Sequence, residues 1–257
     1  MEFGIFAQLF VPRFERDADP NAEHTRIMRN VECALAAERA GLKYVWCPEH
    51  HFLDEYSHMP GPEVFLSFVG ARTEKIHLGS AIFNITPPVN KPARVAETVA
   101  LMDHLLDNRF EFGTGRGSST TEVYGFDIAD LNETKEMWRE TIREIPKMWK
   151  PGTYKYDGDW FSMPEREVFP KPHGPLHPAM WVAGVRALYL QALHPRVVRG
   201  VMQHSHFRQD PLGRLYRTAR FVKITTYASA DSARRLAARV RRIHAHARGT
   251  TATDSGP

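Results

Sequence analysis

The chain has 257 residues, 42% of them hydrophobic and 25% charged, with a formal net charge of +4. That length can bury a large core, and the composition excludes a disordered or collagenous chain; with two cysteines, Cys33 and Cys47, it also excludes a disulfide framework. No apolar run approaches the roughly 20 residues of a membrane span, and the first apolar stretch breaks at Pro12, so the expectation is a cytoplasmic protein without a signal peptide.

The first part of the chain alternates strand and helix. Residues 2–9 form the first expected strand, with Phe3, Ile5, Ala7 and Leu9 on one face, and residues 23–40 the first helix, with Ile27, Val31, Ala34 and Leu35 in its stripe. Gly41 closes that helix, and Tyr44–Cys47 follows as a short apolar strand that stops at Pro48. A helix over 62–72 opens on a proline, a strand spans 75–83, a helix 92–106, a strand 110–115 and a helix 133–149. A fifth strand is expected over 179–183. Alternating units with short connections imply a parallel sheet with right-handed crossovers. No glycine cluster follows the first strand, which argues for a barrel of the (β/α)8 type over an open dinucleotide-binding sheet.

Three segments at expected strand ends carry chemistry. Glu49, His50 and His51 follow Pro48 and bring one carboxylate and two imidazoles to the end of a strand, where parallel barrels do their chemistry. Taken alone, the segment also fits a surface loop that holds two histidines. The small residues of Leu78-Gly-Ser-Ala-Ile82 either admit a ligand to the backbone or simply pack the strand. Gly113-Thr-Gly-Arg-Gly-Ser-Ser119 is the best phosphate candidate. Its glycines free backbone N–H groups, Arg116 offers a planar fork, and Ser118 and Ser119 add hydroxyls, although such a string is often only a turn. Arg109 reads as a loop terminator.

In order and spacing, these motifs resemble the bacterial luciferase-like, flavin-dependent monooxygenases. The resemblance runs over residues 1–184 and is carried by Phe3-Gly-Ile-Phe6, Trp46-Cys-Pro-Glu-His-His-Phe52, Leu78-Gly-Ser-Ala-Ile82, Pro92-Ala-Arg-Val-Ala-Glu97, Leu101-Met-Asp103, Arg109-Phe-Glu-Phe-Gly-Thr-Gly-Arg-Gly117 and His177-Pro-Ala-Met-Trp-Val-Ala-Gly184. It implies the N-terminal half of a (β/α)8 barrel and oxygenation of a small molecule by reduced FMN and O2 through a peroxyflavin. It also implies a flavin reductase as partner, with a dimer as an option. The deazaflavin F420 stands second to FMN, and haem is not expected. His50 matches the family's catalytic histidine, Glu49 is expected to orient it, and His51 to support the loop. Gly79, Ser80, Ala81 and Ile82 match the flavin-facing strand end, with unusual peptide geometry at the Ala81–Ile82 pair. Gly115, Arg116 and Gly117 match the phosphate loop. No metal site is expected.

Beyond Gly184 the character of the chain changes. Residues 185–257 hold 14 Lys+Arg, thirteen of them Arg, against 3 Asp+Glu, a net of +11; residues 1–184 hold 20 against 27, a net of −7. The stretch resembles a helical fragment of the rubber-oxygenase-like haem proteins. The resulting expectation is two segments, 1–184 and 185–257, with the second mainly helical, leaving the barrel incomplete and its chemistry impaired. The alternative is a non-catalytic fusion or vestigial binding protein. His194, His204 and His206 are not expected to ligate haem or metal. The Arg-rich helix over 233–247 packs through Leu236, Val240 and Ile243, and neither nucleic acid nor membrane is expected as a partner.

Overall fold

The structure is a computed structural model and describes residues 2–117, 119–174, 177–183 and 200–202. In chain order the elements are β1 (Gly4–Phe6), α1 (Arg13–Ala18), α2 (Ala22–Arg39), β2 (Tyr44–Cys47), α3 (Pro62–Gly70), β3 (His77–Ser80), β4 (Phe83–Asn84) and α4 (Pro92–Leu105). They continue with β5 (Phe110–Gly115), α5 (Thr120–Gly125), α6 (Thr134–Met148), β6 (Tyr154–Asp157), β7 (Ser162–Arg166), β8 (Ala179–Ala183) and β9 (Gly200–Met202). Strands β1, β2, β3, β5, β8 and β9 lie side by side in that order, all parallel, and β4 also pairs with β5. β6 and β7 form a separate antiparallel hairpin.

Strands β2, β3 and β5 are buried on both faces, as parallel strands in α/β proteins are. On one face Ile5, Val45, Leu78, Phe110, Phe112, Met180 and Val182 meet the apolar stripes of α2, α3, α4 and α6. Ile142 and Ile145 of α6 are fully enclosed there, each worth about 1.5–3 kcal/mol by burial. On the other face Tyr44, Trp46 and Trp181 make a second cluster, joined by Phe6, Ala81 and Ile82. Helices on one side and aromatic side chains on the other are the section of a barrel wall.

Local sequence explains the punctuation. Gly41 adopts φ +75 and ends α2, with Leu42 N donating to Ala37 O and Gly41 N to Glu38 O, the two bonds of a glycine-closed helix end. Pro62 and Pro92 sit in the first turns of α3 and α4, where a missing N–H costs nothing.

Several expectations change. The strand expected over 75–83 is interrupted: β3 pairs with β5 at Leu78 and Gly79, the Ala81–Ile82 peptide is cis, and β4 resumes the pairing at Thr114 and Gly115. Ile27, expected in the α2 stripe, is turned outward, and Arg26 and Asn30 lie inside. The change is confined to the first turns, since Val31 and Ala34 of the expected stripe are buried; there Glu15 of α1, which was not anticipated, pairs with the Arg26 guanidinium, while Asn30 Nδ2 donates to Arg26 O. After Gly184, where a mainly helical segment was expected, β9 adds a parallel strand to β8 through the Trp181–Gly200, Val182–Val201 and Ala183–Met202 register. The remainder of the helical expectation for 185–257, His194, His204, His206 and the 233–247 helix included, lies outside the described residues. Among the described residues, no helix is long and apolar enough to cross a membrane.

Candidate active site

Parallel strands end together, and the ends of β2, β3 and β5 bring the three sequence segments to one place. Cys47 and Ser80 are register partners, and Ala81 N donates to Cys47 O at 2.6 Å. Ser80 Oγ donates to Gly113 O at 2.8 Å and accepts from Gly113 N at 3.1 Å, tying β3 to β5. Ile82 lies against Gly115, where a Cβ would stand 2.7 Å from the Ile82 side chain. Gly117 adopts φ +71, and a Cβ there would meet Asn84 Nδ2 at 3.1 Å. Only glycine combines that backbone with that approach.

Glu49 is buried beneath this cluster and does not orient His50. Its Oε2 accepts from Asn84 N at 2.8 Å, and its Oε1 accepts from Asn90 Nδ2 at 2.8 Å and stands 3.0 Å from His51 Nε2. Asn90 Nδ2 also donates to Asn84 O, and Asn84 Oδ1 accepts from both Thr86 N and Thr86 Oγ1. Glu49 is thus the hub that fastens the chain after β4 to the chain after β2. The carboxylate against His50 is Glu122 of α5, with Oε1 3.2 Å from His50 Nδ1 and 2.9 Å from His51 N. The assignment of Glu49 as the partner of His50 is therefore corrected. The loop turns so that each imidazole finds a different carboxylate, His50 that of Glu122 and His51 that of Glu49.

Aromatic rings frame the two histidines. The Tyr56 ring stands edge-on to His50 at 5.0 Å between centroids, and Phe126 stands edge-on to His51 at 4.9 Å. Phe52 adopts φ +62, a sparsely populated conformation for a bulky residue, and packs its ring against Gly125 and Phe126.

Arg116 sits in the loop after β5. Its Nη1 donates to Thr134 Oγ1 at 2.8 Å and to Leu131 O at 3.3 Å, which fixes the guanidinium at the start of α6. Among the described residues no hydrogen-bond partner is found for its Nη2 or Nε. Ser119 caps α5 by accepting from Glu122 N; Ser118 lies outside the described residues. Arg109 is structural, as expected: it donates to Thr73 Oγ1 and to the carbonyls of Gly70, Thr73 and Ile76.

Sequence reasoning missed Glu122 and also a second polar group on the aromatic face. Glu111 Oε1 stands 2.8 Å from His77 Nδ1, Trp181 Nε1 donates to Glu111 Oε2 at 2.7 Å, and Lys43 Nζ lies 2.9 Å from His77 Nε2. His77 opens β3, Glu111 is the second residue of β5 and Lys43 precedes β2, so these three lie toward the end of the face away from the site, with the mid-strand Trp181 between them and the site. Burial pushes the Cys47 thiol well up, with the Glu63 and Glu49 charges adding to it, so Cys47 is no nucleophile despite its place at the strand end. Among the described residues, no group of three or more His, Cys, Asp or Glu is placed to hold a metal ion.

The residues present suit a flavin. The apolar floor of Phe6, Trp46, Ala81, Ile82 and Trp181 matches a planar ring system, and the glycine-lined loop with the half-engaged Arg116 matches a phosphate.

Comparison with known proteins agrees with this arrangement. The chain is 25% identical over 189 residues to the oxygenase component of the flavin-dependent trigonelline monooxygenase of Acinetobacter baylyi, covering 71% of this chain and 49% of that protein. It is 28% identical over 150 residues to the F420-dependent glucose-6-phosphate dehydrogenase of Amycolatopsis mediterranei, covering 57% and 45%. Among solved structures it resembles the oxygenating constituent of 3,6-diketocamphane monooxygenase of Pseudomonas putida in complex with FMN. The TM-score is 0.66 at 20% identity, over 79% of this chain and 57% of that one. The chain spans about half the length of the curated relatives it matches. The resemblance of residues 185–257 to rubber-oxygenase-like haem proteins finds no support, and the family match continues well past Gly184. Residues 1–240 match the model of the luciferase-like monooxygenases, and the chain belongs to that family.

Proposed function

We propose that the ends of β2, β3 and β5 bind a reduced flavin and that the site oxygenates a small organic molecule with O2. The observation that carries this reading is the convergence of a carboxylate-held imidazole, His50, with a glycine loop and Arg116 beside an apolar floor. FMN is the proposed cofactor, since the structural neighbour described above is a complex with FMN. The F420-dependent relative supports the deazaflavin as a second reading. The trigonelline enzyme is an oxygenase component, which supports a separate flavin reductase as the source of reducing equivalents.

Gly115, Arg116 and Gly117 would hold the phosphate, and Gly79, Ser80, Ala81 and Ile82 would lie along the ring. When bound, reduced flavin supplies the two electrons that activate O2. The chain's own part is to position, to exclude water and to manage a proton. Phe6, Trp46 and Trp181 keep one side of the site apolar. His50 holds and releases a proton at the imidazole nitrogen away from Glu122.

Two variants separate these roles. Arg116→Ala should weaken FMN binding by about 1.5–3 kcal/mol, the worth of a charge-assisted pair. His50→Ala should leave FMN binding nearly intact and abolish oxygenated product when reductase, NADH and O2 are supplied. Equal losses of binding in both variants would sink the division of labour.

A further inference from the structure

We infer that Glu122 is the positioning residue of this site: it fixes which nitrogen of His50 carries the hydrogen and leaves Nε2 as the atom that exchanges a proton. The inference deepens the reading of His50 as the proton-handling group and rests on it. Glu122 Oε1 accepts from His51 N at 2.9 Å, so that oxygen is in use as an acceptor, and it stands 3.2 Å from His50 Nδ1. An oxygen that accepts from a backbone N–H turns its lone pairs and not a hydrogen toward its neighbours, so Nδ1 is the donor and Nε2 keeps its lone pair. His51 is held the other way round. Its Nε2 stands 3.0 Å from Glu49 Oε1, so Nε2 is the donor there and Nδ1 the acceptor. Neighbouring imidazoles are thus locked in opposite tautomers by two different carboxylates. This is the orienting relation in which a third group sets the tautomer of a working histidine.

Two further observations point beyond a structural clamp. Glu122 Oε2 is buried and has no partner among the described residues. A carboxylate placed only for stability would have both oxygens satisfied, and such exceptions gather at functional sites. The same helix also holds the chain just after the histidines, because Phe52 at φ +62 packs its ring against Gly125. The groups facing His50 are Glu122 from α5 and Tyr56 from the loop after β2, with Glu49 and His51 beside it in the chain.

The test reads the tautomers directly, by 15N NMR of the histidine rings in the full 257-residue chain without cofactor, at a pH where the imidazoles are neutral. His50→Gln assigns the His50 signals. The wild type should show hydrogen on Nδ1 of His50 and on Nε2 of His51. Glu122→Gln keeps an amide oxygen in the same place and should preserve both patterns. Glu122→Leu removes the acceptor and should move the hydrogen of His50 to Nε2 while His51 stays unchanged, which also reports that the site has kept its fold. With flavin, reductase and O2, kcat should fall roughly tenfold or more in Glu122→Leu with little change in KM, and Glu122→Gln should restore part of it. Hydrogen on Nε2 of His50 in the wild type overturns the inference whatever the variants do. So does a Glu122→Leu chain whose His50 keeps the wild-type pattern. If the tautomers are as expected but no flavin binds, the functional reading fails and the geometric assignment of Glu122 stands.

Discussion

Glu49 is the residue whose removal should cost the fold most among those first assigned to chemistry. Its carboxylate serves Asn84 N, Asn90 Nδ2 and His51 Nε2 from a buried position. In Glu49→Ala the Asn84 N–H loses a charged acceptor while remaining buried, a loss of about 1.5–3 kcal/mol. Asn90 Nδ2 keeps its bond to Asn84 O, and the partly exposed His51 ring can turn to water, so these two add little. The expected total is about 2–4 kcal/mol, within the range of buried hydrogen-bond networks. Glu49→Gln should recover about half, because one amide oxygen can serve only one side and the NH2 group then faces another donor. The assay is urea unfolding followed by circular dichroism, comparing midpoints at a shared slope. A Glu49→Ala chain within about 0.5 kcal/mol of wild type would refute the hub role, since that is the scale of a surface substitution.

Gly79→Ala places a methyl group inside contact distance of the Trp46 six-membered ring, which is itself fully enclosed, so the chain should lose about 1–3 kcal/mol and shift its tryptophan emission. Unchanged stability and emission would mean that the indole can move aside. Burial raises the Glu38 carboxyl, but the N–H groups of Glu74, Lys75 and Ile76 outweigh it and hold the group below its ordinary value. A lowered folded value gives stability that is present above the unfolded carboxylate range and is lost as pH falls through the folded one. The stability gap between wild type and Glu38→Gln should therefore narrow as pH drops below about 4.3. A gap that stays constant from neutral to acid pH would contradict it.

The fold was legible where punctuation is strong. β2, β5 and β8 have the bounds that Pro48, the 113–117 glycines and Pro178 suggest, and α4 differs from expectation by one residue. What escaped was short or held by distant polar pairs. α1 has six residues and buries none, standing on ion pairs of Arg13 and Arg16 with Asp54 and of Glu15 with Arg26. No hydrophobic period marks such a helix, and the burial of Arg26 in place of Ile27 at the start of α2 goes with it. The β6–β7 hairpin did carry alternation, with Tyr154, Tyr156 and Met163 turned inward, but its strands are charged enough to read as loop.

The site divided in the same way. Local order along the chain placed Glu49, His50 and His51 at a strand end, and the glycine loop made Arg116 visible. The pairing of the imidazoles depends on which way each ring turns, and the partner of His50 lies 72 residues away. Glu122 stands three residues after Ser119, the spacing of a helix start, and that capping pattern was the one available signal.

The central claim is that Arg116 and its glycine loop receive a flavin phosphate. The most direct measurement compares FMN with riboflavin, which lacks the phosphate, by equilibrium titration against the wild-type chain and Arg116→Ala. The wild type should prefer FMN by about 1.5–3 kcal/mol, and the preference should vanish in Arg116→Ala while riboflavin binding is unchanged. Equal affinity for the two ligands in the wild type, or a preference that survives the loss of Arg116, would contradict the account.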